Sequence, residues 1–141
     1  GSEVVAAGGR RVCLGRDCRV HGQRLRESLL EGILSTGIDV IDVGVVASPL
    51  LYFSVFHHDV DGGVQITGSH NPVEYNGFKM MLGKSSLHGE QIQRLRQRIE
   101  DNDFSPYSIL AVTFTNKAAK EIKNRLSIHT HRKANLSRWC K

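Results

Sequence analysis

Several features of other protein classes are missing from this chain of 141 residues. It has only three cysteines, Cys13, Cys18 and Cys140, and they form no CxxC pair. The sequence therefore predicts neither a disulfide scaffold nor a structural zinc site, and it favours a reducing cytoplasm. No apolar run approaches the roughly 18 residues of a membrane span, and the first residues lack the basic and apolar regions of a secretory signal, so we expect no membrane partner.

Excess basic charge is missing from the first three quarters of the chain. Residues 1–105 hold 11 Lys and Arg against 13 Asp and Glu, a net charge of −2, whereas residues 106–141 hold eight against one, a net charge of +7. The overall charge of +5 therefore belongs to the last quarter, so nucleic acid is expected as a partner only through residues 106–141. Such asymmetry indicates two origins or two roles.

Hydrophobic periodicity, short apolar runs and a helix start signal predict strands that alternate with helices. The predicted strands are 11–15, 39–43, 63–67 and 78–82, and the predicted helices are 23–35, 48–57 and 89–100. We expect Gly37 to end the first helix, Ser48 to cap the second before Pro49, and Ser85-Ser86 to introduce the third; Gly62-Gly63 is expected to be a turn. This alternation predicts an α/β layered domain with a largely parallel sheet.

One polar loop stands out, Thr67-Gly68-Ser69-His70-Asn71-Pro72. It follows a predicted strand, and ligands of α/β sheets bind beyond the carboxyl ends of strands. A serine hydroxyl presented there beside His70, with Lys79 nearby, can accept and donate a phosphoryl group. The alternative is an ordinary turn, because the same residue types are the commonest in turns.

The segments TGSHNP (67–72) and YNGFK (75–79) resemble the active-site serine loop of the α-D-phosphohexomutases, the phosphoglucomutase/phosphomannomutase family. The resemblance extends over about residues 1–103 and includes GRDCR (15–19), DVG (42–44) and the dipeptide SP at 48–49. It implies the three-layer α/β/α fold of domain I of these enzymes, incomplete at its N-terminus, followed by a short extra strand and helix and a basic tail.

The resemblance also implies roles for individual residues. Ser69 would carry the phosphoryl group, with Lys79 as general acid/base or charge stabiliser, His70 beside it and Arg19 at the phosphoryl. Phosphate binding is assigned to Arg16, Asn71 and Asn76, and the two asparagines are also expected to shape the loop. As alternatives, Lys79 is simply solvated, and Arg19 pairs with Asp17 or Asp39.

The implied reaction interconverts hexose 1-phosphate and hexose 6-phosphate through a bisphosphorylated sugar, with glucose 1,6-bisphosphate as activator. Mg²⁺ would bind Ser69 through its phosphoryl group, because transferred phosphoryl groups need charge neutralisation. The remaining metal ligands belong to a DGDxD loop in another domain of the family, and this sequence has none. We therefore expect a fragment of an intramolecular phosphotransferase that is inactive alone.

Residues 107–126 resemble a different family, in which a strand, a TNKAA turn and a helix form motif Ia of UvrD/Rep-type DNA helicases. Lysines 117, 120 and 123 would form a phosphate-facing stripe with Phe114 as a stacking partner. The GxxxxGK[ST] loop of such ATPases is absent.

The two resemblances together predict the organisation of the chain. We predict domain I at 1–105, a helicase-like fragment at 106–126 and an unstructured basic tail at 127–141, and we favour a chimeric reading frame. Alternative functions are a nucleic-acid-binding module and an assembly protein that pairs through an incomplete sheet.

Overall fold

The computed structural model describes residues 1–101, except the side chains of residues 99 and 100. Residues Gly1–His88 form one compact unit and α4 belongs to a second unit that begins at Gly89. The elements are α1 (Ser2–Ala6), β1 (Arg11–Arg16), α2 (Gly22–Leu34), β2 (Asp39–Val45), α3 (Ser48–His57), β3 (Gly62–Ile66), β4 (Phe78–Leu82), β5 (Ser85–Ser86) and α4 (Glu90–Asp101). None of the helices in this part of the chain is long and apolar enough to cross a membrane.

The first unit has three layers, as predicted. Neighbouring residues of β1 pack into two different cores, because successive side chains of a strand point to opposite faces of the sheet. Cys13 packs with Leu51 and Val55 of α3 on one face. Val12 packs with Val4 of α1 and Ile33 of α2 on the other. The sheet therefore lies between α3 and the pair α1 and α2, and the α/β/α prediction is confirmed.

The strand order is β2-β1-β3-β4-β5. The strand β1 is parallel to both β2 and β3, whereas β3–β4 and β4–β5 are antiparallel. The expectation of a largely parallel sheet is therefore wrong, and the sheet of the described residues is mixed. The reason lies in the connection from β3 to β4, which is a loop at 67–77 without a crossover helix, so that β4 returns antiparallel.

The two helices of the parallel part form where the sequence predicts them. Leu29 and Ile33 of α2 face the core on one side, and the chain leaves the helix at Gly37, which has a positive φ of 81°. The predicted cap of α3 is wrong. Its N-cap is Ala47, in extended conformation, and Ser48 is already helical. Pro49 permits this, because proline is tolerated throughout the first turn, where N–H groups lack helical partners.

One pair of glycines and one pair of serines form a different secondary structure from the one predicted. Gly62 and Gly63 belong to β3 rather than to a turn. A Cβ at Gly62 would lie 2.5 Å from the Met81 carbonyl oxygen, and one at Gly63 would lie 2.6 Å from Val55 Cγ2. Close packing therefore requires both glycines. Ser85-Ser86 is β5, which pairs with the end of β4, and α4 begins only at Glu90.

Asp61 ties the start of β1 to the loop before β3, and this contact predicts a pH dependence. Its Oδ2 accepts the main-chain N–H groups of Arg10 (2.7 Å) and Arg11 (3.0 Å), which hold the pKa of Asp61 below its usual value. A pKa lowered by folding stabilises the protein above the unfolded pKa of about 4, and the stabilisation is lost as pH falls through the folded pKa.

We therefore expect Asp61→Asn to lower the free energy of unfolding at neutral pH, and the difference from wild type to shrink below about pH 4. Urea titrations between pH 3 and pH 7 measure this. Asp39→Asn is the control, because the Asp39 side chain is 74% exposed. A wild-type advantage that stays constant down to pH 3 would contradict the assignment.

Candidate functional site

The loop at 67–77 lies where the carboxyl ends of parallel strands β1 and β3 meet. The Asp17 N–H donates to the Ile66 carbonyl (2.8 Å), which links the ends of these two strands. The Thr67 N–H donates to the Gly77 carbonyl (2.8 Å) and closes the loop at its base. The predicted position of Ser69 beyond the end of a strand is therefore confirmed, and its side chain is exposed.

Ser69 adopts a left-handed conformation with a φ of 53°. For a residue other than glycine this costs on the order of 1–3 kcal/mol and is kept only where surrounding contacts enforce it. The Ser69 N–H donates to Thr67 Oγ1 (2.9 Å), and Asn71 donates to the Gly68 carbonyl through both its N–H (3.0 Å) and its Nδ2 (2.9 Å). Asn71 thus shapes the loop, as one of its predicted roles requires.

The hydroxyl of Ser69 lies next to a base. Its Oγ is 3.3 Å from Nδ1 of His70, and both side chains are exposed. When that nitrogen is unprotonated it accepts the hydroxyl proton, which is the arrangement of a serine nucleophile with a neighbouring general base. The structure therefore brings together the two residues of the loop that were predicted to act chemically.

Arg19 lies beneath this loop, with a side chain only 11% exposed. A guanidinium has five N–H donors in a planar fork. The Nε–H donates to Asp17 Oδ2 at 3.1 Å. The other four N–H groups donate to main-chain carbonyls of the loop, those of Ser69, Asn71, Pro72 and Tyr75. All five donors are therefore used within the protein, and the role at the phosphoryl predicted for Arg19 stays a prediction.

Asp17 is the site residue that the sequence did not single out as functional. Its Oδ1 accepts the Arg19 N–H (3.0 Å), and its Oδ2 accepts both Arg19 Nε and the Gly68 N–H (3.2 Å). Of the two partners considered for Arg19, the structure selects Asp17, while Asp39 lies 3.8 Å from Arg11. The signal was present in the GRDCR segment, where an acid and a base are two residues apart.

Of the other predicted residues, Lys79 and Arg16 lie in strands next to the loop, and Asn76 lies within it. Lys79 is in β4 opposite Gln65, and its side chain is partly buried. Within residues 1–101, no ion pair involves Lys79. Arg16 ends β1, with Nη1 3.4 Å from the Asp17 carbonyl. Asn76 has a buried Oδ1 without a hydrogen-bond partner in this part of the chain. Their predicted roles stay predictions.

The residues present do not by themselves fit a Mg²⁺ site. Within the described part of the chain no three His, Cys, Asp or Glu side chains cluster as metal ligands. Asp17, the carboxylate that contacts the loop, already accepts three hydrogen bonds. Because Mg²⁺ requires several oxygens in near-octahedral geometry, a phosphoryl group on Ser69 would supply only part of a site.

Fold and site together define an α/β/α domain that presents an exposed serine on a braced loop at the carboxyl edge of its sheet. A family model described as phosphoglucomutase/phosphomannomutase, alpha/beta/alpha domain I, matches residues 2–106. The chain belongs to the phosphoglucomutase/phosphomannomutase family. The resemblance of the serine loop is therefore confirmed as a family relationship.

Relatives support the same conclusion. A phosphoglucomutase of Neisseria meningitidis serogroup B is 50% identical over 95 residues, which are 67% of this chain and 21% of that protein. A phosphomannomutase/phosphoglucomutase of Pseudomonas aeruginosa is 46% identical over 105 residues, 74% of this chain and 23% of that protein. The chain thus spans less than a quarter of the length of these relatives.

A solved structure agrees with the fold. The crystal structure of a phosphoglucomutase/phosphomannomutase family protein from Burkholderia thailandensis superposes with a TM-score of 0.68 at 43% identity. The alignment covers 74% of this chain and 24% of that one.

A second family model, the UvrD/REP helicase N-terminal domain, matches residues 83–138. The predicted resemblance to these helicases is therefore confirmed for this part of the sequence. The predicted strand and helix at 107–126 and the basic tail lie outside the described residues. A nucleic-acid contact through residues 106–141 stays a prediction.

Proposed function

We propose that this chain supplies the phosphoserine-bearing part of a phosphohexomutase, which interconverts hexose 1-phosphate and hexose 6-phosphate. The observation that carries the proposal is the exposed Ser69 hydroxyl, 3.3 Å from His70 Nδ1, in a loop held at the carboxyl edge of the sheet. The family relationship supports it. Because the chain spans less than a quarter of its relatives, the complete reaction would need the remainder of such an enzyme.

The proposed chemistry has two steps. In the first step Ser69 Oγ attacks one phosphorus of a hexose bisphosphate; the Oγ–P bond forms, the sugar O–P bond breaks, and the sugar oxygen takes up a proton from solvent water. His70 Nδ1 accepts the proton that the serine hydroxyl loses. In the second step a hydroxyl of a hexose monophosphate attacks the phosphoserine; the sugar O–P bond forms, the Oγ–P bond breaks, the sugar hydroxyl gives its proton to solvent, and Ser69 Oγ regains a proton from His70. Lys79 is proposed to offset the charge of the phosphoryl group, which carries about −1.5 to −2 at pH 7.

Incubating the 141-residue chain with glucose 1,6-bisphosphate and Mg²⁺ tests the proposal. Peptide mass spectrometry is expected to find one phosphoryl group, on Ser69. Incorporation only at another residue, or none at all, would overturn it. Hexose 1-phosphate alone is the control. Transfer of its phosphoryl group would leave a free sugar, whereas the proposed reaction leaves a hexose monophosphate.

We also propose the domain limits 1–105, 106–126 and 127–141, which the change in charge near residue 105 supports. A cytoplasmic location is proposed as well, and the free thiols of Cys13 and Cys18 in the described residues support it.

The alternative function is a nucleic-acid-binding module. It would be established by binding of single-stranded DNA that falls steeply with salt and that is lost when residues 106–141 are deleted.

A further inference from the structure

We propose that Asp17 and Arg19 are positioning residues for phosphoryl transfer, which hold the Ser69 loop in its reactive shape without touching the phosphoryl group. The inference rests on the proposed function of Ser69. It goes beyond that function because it assigns a new role to Asp17 and a different role to Arg19 from the one expected at the phosphoryl.

The first argument is the exhaustion of hydrogen-bond donors. Arg19 directs its Nε–H at Asp17 and its remaining N–H groups at four loop carbonyls. A guanidinium has no sixth N–H, so an additional phosphoryl contact would require breaking one of these bonds. Arg19 is also mostly buried, whereas Ser69 Oγ is on the exposed side of the loop.

The second argument is the convergence of carbonyl groups. Four carbonyl oxygens pointing at one place repel one another unless a cation with several donors lies between them. Only arginine offers a planar fork that spans such a set; lysine has the charge but three donors at a single nitrogen. Asp17 completes the arrangement, because one carboxylate binds both Arg19 and the Gly68 N–H that precedes Ser69.

The third argument is what the clamp of Asp17 and Arg19 does to the peptide after Ser69. The Ser69 carbonyl points at Arg19 (3.2 Å). In a planar trans peptide the carbonyl and the following N–H point in opposite directions, so the N–H of His70 is turned away from Arg19. The clamp therefore sets the orientation of the backbone on both sides of the nucleophile, together with the left-handed φ of Ser69.

Side-chain and backbone NMR of the full chain tests the clamp independently of phosphorylation. We expect the Arg19 Nε–H signal to be protected from exchange in the wild type and to lose that protection in Asp17→Asn. The amide signals of residues 68–71 should shift, while those of β2 stay in place. Retained protection and unmoved loop signals in Asp17→Asn would overturn the proposal.

The chain provides a closely matched control in Asp42→Asn. Asp42 also pairs with an arginine, Arg26, and also accepts a main-chain N–H, that of Gly44 (2.8 Å). The side chains of Asp42 and Asp17 are exposed to a similar extent, 26% and 22%. Because Asp42 does not contact the loop, Asp42→Asn should leave both the Arg19 signal and the loop amides unchanged.

Phosphorylation kinetics separate positioning from charge. Displacement of a reacting group by about 1 Å costs roughly 100-fold in rate, so Arg19→Lys and Arg19→Gln should both phosphorylate Ser69 at least about 10-fold more slowly at saturating glucose 1,6-bisphosphate. The half-saturating concentration should change little. If Arg19→Lys retains the wild-type rate while Arg19→Gln does not, charge at the phosphoryl is the role of Arg19 and the clamp is overturned.

The two proposals fail in distinguishable ways. If the wild-type chain acquires no phosphoryl group on Ser69, the proposed function fails, and the NMR comparison of Asp17→Asn with Asp42→Asn still decides whether the clamp exists. If wild type is phosphorylated and Asp17→Asn is phosphorylated equally fast, the proposed function stands and the positioning role is overturned.

Discussion

Replacing Ser69 with alanine is expected to reduce phosphoryl incorporation from glucose 1,6-bisphosphate to the level of a reaction without protein. The reason is chemical, because the Oγ that forms the bond to phosphorus is removed and neither His70 nor Asn71 can replace it as an alcohol nucleophile. Mass spectrometry of the intact chain measures the effect. Ser86→Ala removes another exposed serine hydroxyl, in β5, and should leave incorporation unchanged.

A second variant separates this loss from any effect on folding. Ser69 has a φ of 53°, which glycine adopts without strain. Ser69→Gly should therefore unfold at the same or a slightly higher urea concentration than wild type and still acquire no phosphoryl group. Phosphorylation that persists in Ser69→Ala would remove Ser69 from the mechanism.

Gly68→Ala is expected to disrupt the loop and lower the free energy of unfolding by about 1–3 kcal/mol. A Cβ at this position would lie 2.3 Å from Arg19 Cζ and 2.5 Å from the Tyr75 carbonyl oxygen. Neither group can move away cheaply, because the guanidinium is held by five hydrogen bonds and the carbonyl is one of their acceptors. Phosphorylation of Ser69 should fall by about 100-fold, the cost of a misplacement near 1 Å.

Urea unfolding and phosphorylation kinetics of the same preparations measure both effects of Gly68→Ala. Gly32→Ala is the matched control, because Gly32 lies within α2 and nothing lies within 4 Å of the added methyl group. It should raise the free energy of unfolding by up to about 1 kcal/mol through helix propensity. A Gly68→Ala chain as stable and as readily phosphorylated as wild type would show that the loop does not depend on this close contact.

Regular elements were predictable where their signals are local. The helix α2 follows from apolar residues at helical spacing, the helix α3 from the start signal Ser48-Pro49, and the strands β1 and β4 from short apolar runs. The two-residue strand β5 was missed because two residues carry no periodicity. Gly62-Gly63 was misassigned because a glycine pair signals a turn equally well as a close contact, and only Met81 and Val55 reveal which applies.

The family, the order of most elements and the residue that presents the hydroxyl can be predicted without a structure, because they depend on short motifs such as TGSHNP and on local patterns of apolar residues. The antiparallel return of β4, the pairing of Arg19 with Asp17 rather than Asp39, and the contacts of Arg19 with the loop arise only in the tertiary structure. The loop carbonyls that bind Arg19 lie 50 to 56 positions away in the chain. Hydrogen bonds over such separations exist only once the sheet has brought the ends of β1 and β3 together, and no local pattern specifies them.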